Sequence, residues 1–278
     1  MTSFGPELPE FIEIAAGVRR LLAPNPSMMT GPGTNTYLIG NDEVAVLDPG
    51  PVIAAHIERI QEVAAAPIRY ILLTHTHPDH SPAAAGLAQA TGAELLGRPA
   101  PEGAHQDMTF KPDRILEDGD RLVVDGVDIE VIHTPGHASN HVCYRHSALN
   151  WIFTGDHVID GSTVVIDPPD GNMKQYIESL VKVRDLNPLA LAPGHGEVIA
   201  DPLRAINWII EHRLEREAKV LAALRQNSGL TSMQLVPHVY KDVDSKLYGW
   251  AERSLLAHLI KLEEDHVAER REECWFTA

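Results

Sequence analysis

Ile71-Leu72-Leu73-Thr74-His75-Thr76-His77-Pro78-Asp79-His80 is the stretch on which the fold turns. An apolar run ends in a loop that packs three histidines and a carboxylate together. In open α/β architectures, ligands collect beyond the carboxyl ends of strands. Imidazole with carboxylate is the donor set favoured by zinc and its first-row neighbours. His75 and His77 are two apart and Asp79 and His80 lie just beyond, so one turn can offer two ligands to one ion and two to a second. The spacing predicts a binuclear centre.

Two ions need more donors than one loop supplies, and each further donor should again follow an apolar strand. Val131-Ile132-His133 runs into Thr134-Pro135-Gly136-His137, where Pro and Gly force a turn with His137 at its tip. Trp151-Ile152-Phe153 empties into Thr154-Gly155-Asp156-His157, which puts a carboxylate where it could bridge two cations. Leu189 to Ala192 leads into Pro193-Gly194-His195-Gly196, whose glycines let backbone approach an ion closely. With 15 histidines in 278 residues a single cluster could be coincidence, but four strand-end matches in order are not.

This order, His-x-His-x-Asp-His followed by His, Asp and His, resembles the metallo-β-lactamase superfamily over roughly residues 15 to 200. The resemblance implies a four-layer αββα fold. Asp156 in Phe-Thr-Gly-Asp is similar to the bridging aspartate of the glyoxalase II, ribonuclease Z and lactonase branches, which ranks β-lactam hydrolysis lower. His77 stands where the flavodiiron branch carries a Glu, and the persulfide dioxygenases use a single iron. Gly33 to Ile39 and the C-terminal extension look like the β-lactamase-like protein 2 branch, whose relatives include endoribonucleases and acyl-carrier thioesterases.

Carried over by matched motif, the resemblance implies that His75, His77 and His137 hold a first metal and that Asp79, His80 and His195 hold a second. Asp156 would bridge them. Two Zn²⁺ ions are expected, although such ligands also admit Mn²⁺ or Fe²⁺. The implied chemistry is attack by a hydroxide shared between the metals, since coordination lowers the pKa of water from about 15.7 to near 7. Asp79 is a candidate to orient that hydroxide, and His141, four residues after His137, to face the substrate. His157 is a candidate donor to a ligand, and His133 reads as a core position. His56, His105, His146, His212, His238, His258 and His266 have no motif context and read as ordinary.

Length and composition suit a catalytic domain over residues 1–202 and a small domain over 203–278. Hydrophobic residues make up 44%, enough for a continuous core. Met1 to Arg20 lacks a basic start followed by an apolar stretch, and no run of 18 apolar residues occurs, so no membrane role is expected. Cys143 and Cys274 are too far apart for a thiolate zinc motif, and they fit a reducing cytoplasm.

Helices are expected over Pro51 to Ala64 and over Ser81 to Ala90, the second capped by Ser81 and closed by Gly92. Asp118-Gly119-Asp120 and Asp125-Gly126 flank a hairpin strand. Past Asp201, a long helix over Pro202 to Gln226, a capped short helix from Thr231, a helix over Ala251 to Ala268 and a strand near Cys274 to Phe276 look like a winged-helix tail.

Charge bears on the substrate. Residues 203–278 hold 11 Lys and Arg against 12 Asp and Glu, so nearly all of the formal charge of −16 falls on residues 1–202. A domain so acidic repels polyanions, whereas nucleic-acid binders present basic faces. The expected function is therefore hydrolysis of an acyl bond, thioester or lactone, in a small molecule. The alternatives are a phosphodiesterase or endoribonuclease acting on single-stranded RNA and, below that, a non-catalytic winged-helix adaptor. A homo-oligomer is compatible with either. Ala23 to Gly33, Pro99 to Lys111 and Ile166 to Met173 are the expected specificity loops.

Overall fold

The computed structural model describes residues 11–103, 105–241 and 244–278. The first ten residues of the segment read for a targeting signal, and Ala104 in the loop from Pro99 to Lys111, lie outside them. Among the described residues no helix is long and apolar enough to cross a membrane. The chain divides into two compact units: residues 1–134, 140–162 and 188–202, and residues 135–139, 163–187 and 203–278.

The first unit is built on two sheets. The strands of one are β1 (Ile12–Ala15), β2 (Val18–Leu22), β3 (Asn35–Ile39), β4 (Val44–Leu47), β5 (Ile68–Leu72), β6 (Glu94–Gly97) and β7 (Arg114–Ile115), paired in that order. The other runs β12-β11-β10-β9-β8, from β8 (Arg121–Val124), β9 (Val127–His133), β10 (Val142–His146), β11 (Trp151–Gly155) and β12 (Ala190–Pro193). Helices α1 (Ala54–Ala64) and α2 (Ala83–Thr91) flank β5 in sequence, and the β4-β5 and β5-β6 pairings they connect are parallel.

A period of two sorts the apolar residues of the central strands between two cores. Tyr37, Ile39, Ala45, Leu47, Tyr70 and Leu72 meet Leu122, Ile129, Val131, Tyr144 and Phe153 of the other sheet. The Tyr37 and Phe153 rings cross edge-on at 5.1 Å. Alternate residues Leu38, Val44, Val46 and Ile71 face the other way, onto Ile60, Val63, Ala84 and Leu87 of the two helices. Buried on both faces, these strands read as continuous apolar runs. Each large side chain so buried stabilises the fold by roughly 1.5–3 kcal/mol.

Details depart from the sequence reading. α2 has Pro82 at its N-cap and no side-chain cap, because the Ser81 hydroxyl donates instead to Asp107 at 2.8 Å. Gly92 closes it in the left-handed region as expected, φ 76°. The Asp125-Gly126 turn between β8 and β9 has φ 48° and 77°, the left-handed pair of a tight hairpin. His133 is half-buried at the end of β9 rather than a core residue.

The second unit contains α3 (Met173–Asp185), α4 (Pro202–Gln226), β13 (Leu230–Thr231), α5 (Ser232–Val239), α6 (Tyr248–Glu264), β14 (Ala268–Arg271) and β15 (Cys274–Thr277). The small sheet runs β13-β15-β14, and Trp275 is buried among Val220, Leu224, Leu235, Leu255 and Leu259. Thr231 and Gln234 form a reciprocal capping box at the start of α5. The helix expected over Ala251 to Ala268 spans Tyr248–Glu264. α3 was not expected at all, although Asn172 caps it by accepting from the Gln175 amide at 2.9 Å.

Candidate metal centre

The His75 loop is shaped by Asp48, a residue the sequence reading missed. Asp48 follows β4 as His75 follows β5, and it is buried, with φ 49°. Its carboxylate accepts from the Thr74 amide at 2.8 Å, the Thr74 hydroxyl at 2.7 Å and His80 Nδ1 at 2.9 Å. The apolar run Val44 to Leu47 ending in Asp48-Pro49-Gly50 obeys the same strand-end rule and could have revealed it.

Donor counting fixes the histidines. The Thr74 hydroxyl spends its proton on Asp48, so it accepts from His75 Nδ1 at 3.0 Å and His75 Nε2 carries a lone pair. That Nε2 stands 2.9 Å from His77 Nδ1. Burial, with His80 and His77 alongside, holds His75 well below its ordinary pKa. His80 gives its Nδ1 proton to Asp48, and its buried Nε2, which makes no hydrogen bond, lies 3.3 Å from Asp156 and 3.5 Å from Asp79. His195 follows the same plan. Its Nδ1 donates to the Gly33 carbonyl at 3.1 Å, and its Nε2 lies 3.2 Å from Asp79 and 3.3 Å from Asp156.

Two imidazole nitrogens oriented as acceptors thus converge on two carboxylates, an arrangement that only a proton or a cation between them can stabilise. The electrostatics agree. Burial alone would lower His195, but Asp156 and Asp79 raise it to about 10. Burial opposes the anion of Asp156, yet His80 and His195 hold its pKa well below the ordinary value. Asp79, His80, Asp156 and His195 each offer a ligand atom within 4.8 Å of the others, and Asp156 stands in the same relation to His75 and His77. Nitrogen and carboxylate donors in these numbers fit a divalent first-row cation.

Two glycines make room. A Cβ on Gly155, φ 47°, would meet Thr74 Oγ1 at 2.5 Å, so only glycine lets the end of β11 close on the Thr74 turn. A Cβ on Gly194 would lie 2.7 Å from His80 Cε1 and 2.8 Å from Asp156 Oδ1, within the donor cluster itself.

The remaining candidates fall in different places. His141, expected to face substrate, is fully buried. Its Nδ1 meets the Thr134 hydroxyl at 2.9 Å and its Nε2 accepts from the Asp156 amide at 3.2 Å, a geometry that positions Asp156. His157 is buried as well. His56 packs internally against the Thr36 hydroxyl at 3.0 Å. His137 belongs to the second unit, where its Nδ1 is held by the Val165 carbonyl at 2.7 Å.

Comparison with known proteins follows the same residues. The model of the metallo-beta-lactamase superfamily matches residues 29–195, and that of the beta-lactamase associated winged helix domain matches residues 231–275. A Drosophila melanogaster protein named beta-lactamase-like protein 2 homolog is 33% identical, covering 93% of this chain and 91% of its own length. An Aspergillus fumigatus protein named atrochrysone carboxyl ACP thioesterase is 31% identical over 79% of this chain and 69% of its own. A solved beta-lactamase domain protein from Burkholderia ambifaria shares the fold with a TM-score of 0.83 at 21% identity, covering 99% of this chain and 96% of that one.

Proposed function

The chain belongs to the metallo-beta-lactamase superfamily of hydrolases, and from that premise we propose that it is a dinuclear zinc hydrolase cleaving an acyl bond, thioester or lactone, of a small molecule. The observation that carries this is Asp156, whose carboxylate is common to two donor sets, His75 with His77 and Asp79 with His80 and His195. One carboxylate serving two sets suits a pair of cations, and we assign His137 as a further ligand of the first. Residues 1–202 would form the hydrolytic domain, acting in a reducing cytoplasm.

Two divalent cations bound there would supply a water that ionises near neutral pH and a Lewis acid for the substrate carbonyl. The protein's own groups supply orientation. Asp48 and the Gly33 carbonyl hold the Nδ1 protons of His80 and His195, so that both rings present Nε2 to the centre. His141 fixes the backbone of Asp156. The Asp79 side chain, 26% exposed and so the most open of the second set, would accept a hydrogen bond from the attacking water.

The acyl assignment draws on charge, because nearly all of the formal −16 lies on residues 1–202 and opposes a polyanionic substrate. It also draws on the thioesterase name of the Aspergillus relative. The test is a paired assay on metal-quantified protein, setting a panel of acyl thioesters and lactones against a short single-stranded RNA, with chelator controls in both arms. Chelator-sensitive turnover of acyl substrates alone is expected. Cleavage of RNA alone would overturn the assignment.

A further inference from the structure

The second unit contains a pocket of about 460 Å³ between the C-terminal half of α4 and the end of α5. Three cations line it, Arg216 and Lys219 from α4 and Lys241 at the other wall, beside the neutral Gln226 and Asn227. No acidic side chain lines it among the described residues. Glu217, next to Arg216 in sequence, is bound to Lys261 at 3.0 Å and is unavailable to neutralise the pocket.

A second, independent feature lies in the same wall. Tyr240 lines the pocket and is 8% exposed. The Arg216 guanidinium lies 4.6 Å above the Tyr240 ring, which holds that cation at the pocket by its π face.

We propose that this pocket binds a small molecule carrying a phosphomonoester. A phosphomonoester brings a charge of about −1.5 to −2 and three acceptor oxygens, which matches several cations better than a single carboxylate does. The volume exceeds that of phosphate alone and falls in the range of small-molecule sites, with Ala222, Ala223 and Val239 available to an apolar body. The site is independent of the reaction assigned to the metal centre.

The test is calorimetric titration of the full-length protein with 5′-AMP, adenosine, inorganic phosphate and a short oligoribonucleotide lacking a terminal phosphate. The variant is the double substitution Lys219→Gln with Lys241→Gln, at two exposed positions. AMP and phosphate are expected to bind and adenosine is not, and the double variant should weaken AMP binding at least tenfold. Equal binding of AMP and adenosine, no binding of either phosphate probe, or unchanged AMP affinity in the variant would each overturn the proposal. Binding of the oligoribonucleotide without binding of AMP would do the same, in favour of a phosphodiester backbone.

Discussion

His80 in the first unit and His258 in the second are both fully buried imidazoles, yet they sit in opposite fields. His80 has its Nδ1 anchored by Asp48 and its Nε2 turned to Asp79 and Asp156, and these carboxylates outweigh burial and raise its pKa well above the ordinary value. His258 hydrogen bonds through neither ring nitrogen. Glu217 is 3.9 Å away, and burial, with Arg213 and Arg216 nearby, lowers its pKa. The first site attracts positive charge and the second expels it. Burial alone therefore does not distinguish these two histidines; the carboxylates around His80 do.

The comparison makes Asp156 the most consequential residue, since it belongs to both donor sets. Asp156→Ala should lose metal and lower kcat/KM by about 10³-fold or more. Metal analysis and kinetics on the same preparation check this. Full activity in metal-depleted Asp156→Ala protein would sink the mechanism.

Asp48→Asn comes next. The amide keeps the shape but replaces one of the two carboxylate oxygens that accept from Thr74 and His80 with a donor. Metal affinity should fall about 10–100-fold, the usual cost of disturbing a group that orients a ligand, while the fold persists. Titration with a competing chelator, alongside circular dichroism, separates the two effects. Unchanged affinity would mean that the Asp48 bond to His80 does not orient the centre.

Asp48 also shows where the sequence stops being readable. The Thr74–His80 loop, Asp156 and His195 announced themselves because donors followed apolar runs, and the runs became β5, β11 and β12. Asp48 obeys that rule, but a single carboxylate after a strand looks like an ordinary turn until the fold lays β4 beside β5. The packing of His141 was hidden for a similar reason. Its spacing from His137 is local, whereas its bonds to Thr134 and to the Asp156 amide depend on how β9, β10 and β11 end together. α3 was hidden because its apolar residues Tyr176, Leu180 and Val183 alternate with charges and follow a segment read as a loop. In the tail, periodicity and the Thr231 cap located the helices, with the last displaced by three to four residues, because these signals are encoded within each segment.

The smallest expected effect belongs to His258. Its folded pKa lies below the ordinary 6.5, so its contribution to stability is intact above that pH. As the pH falls through and below 6.5, the unfolded chain takes up a proton that the folded state refuses, and stability is lost. His258→Leu removes this linkage and two unbonded nitrogens while roughly conserving volume, so stability at about pH 8 should stay within about 1.5 kcal/mol of wild type. Between about pH 8 and pH 5 the wild type should then lose more unfolding free energy in urea than the variant, with metal content equal in both. Equal losses would show that His258 is protonated in the folded state, which would make the second cluster hospitable to positive charge after all.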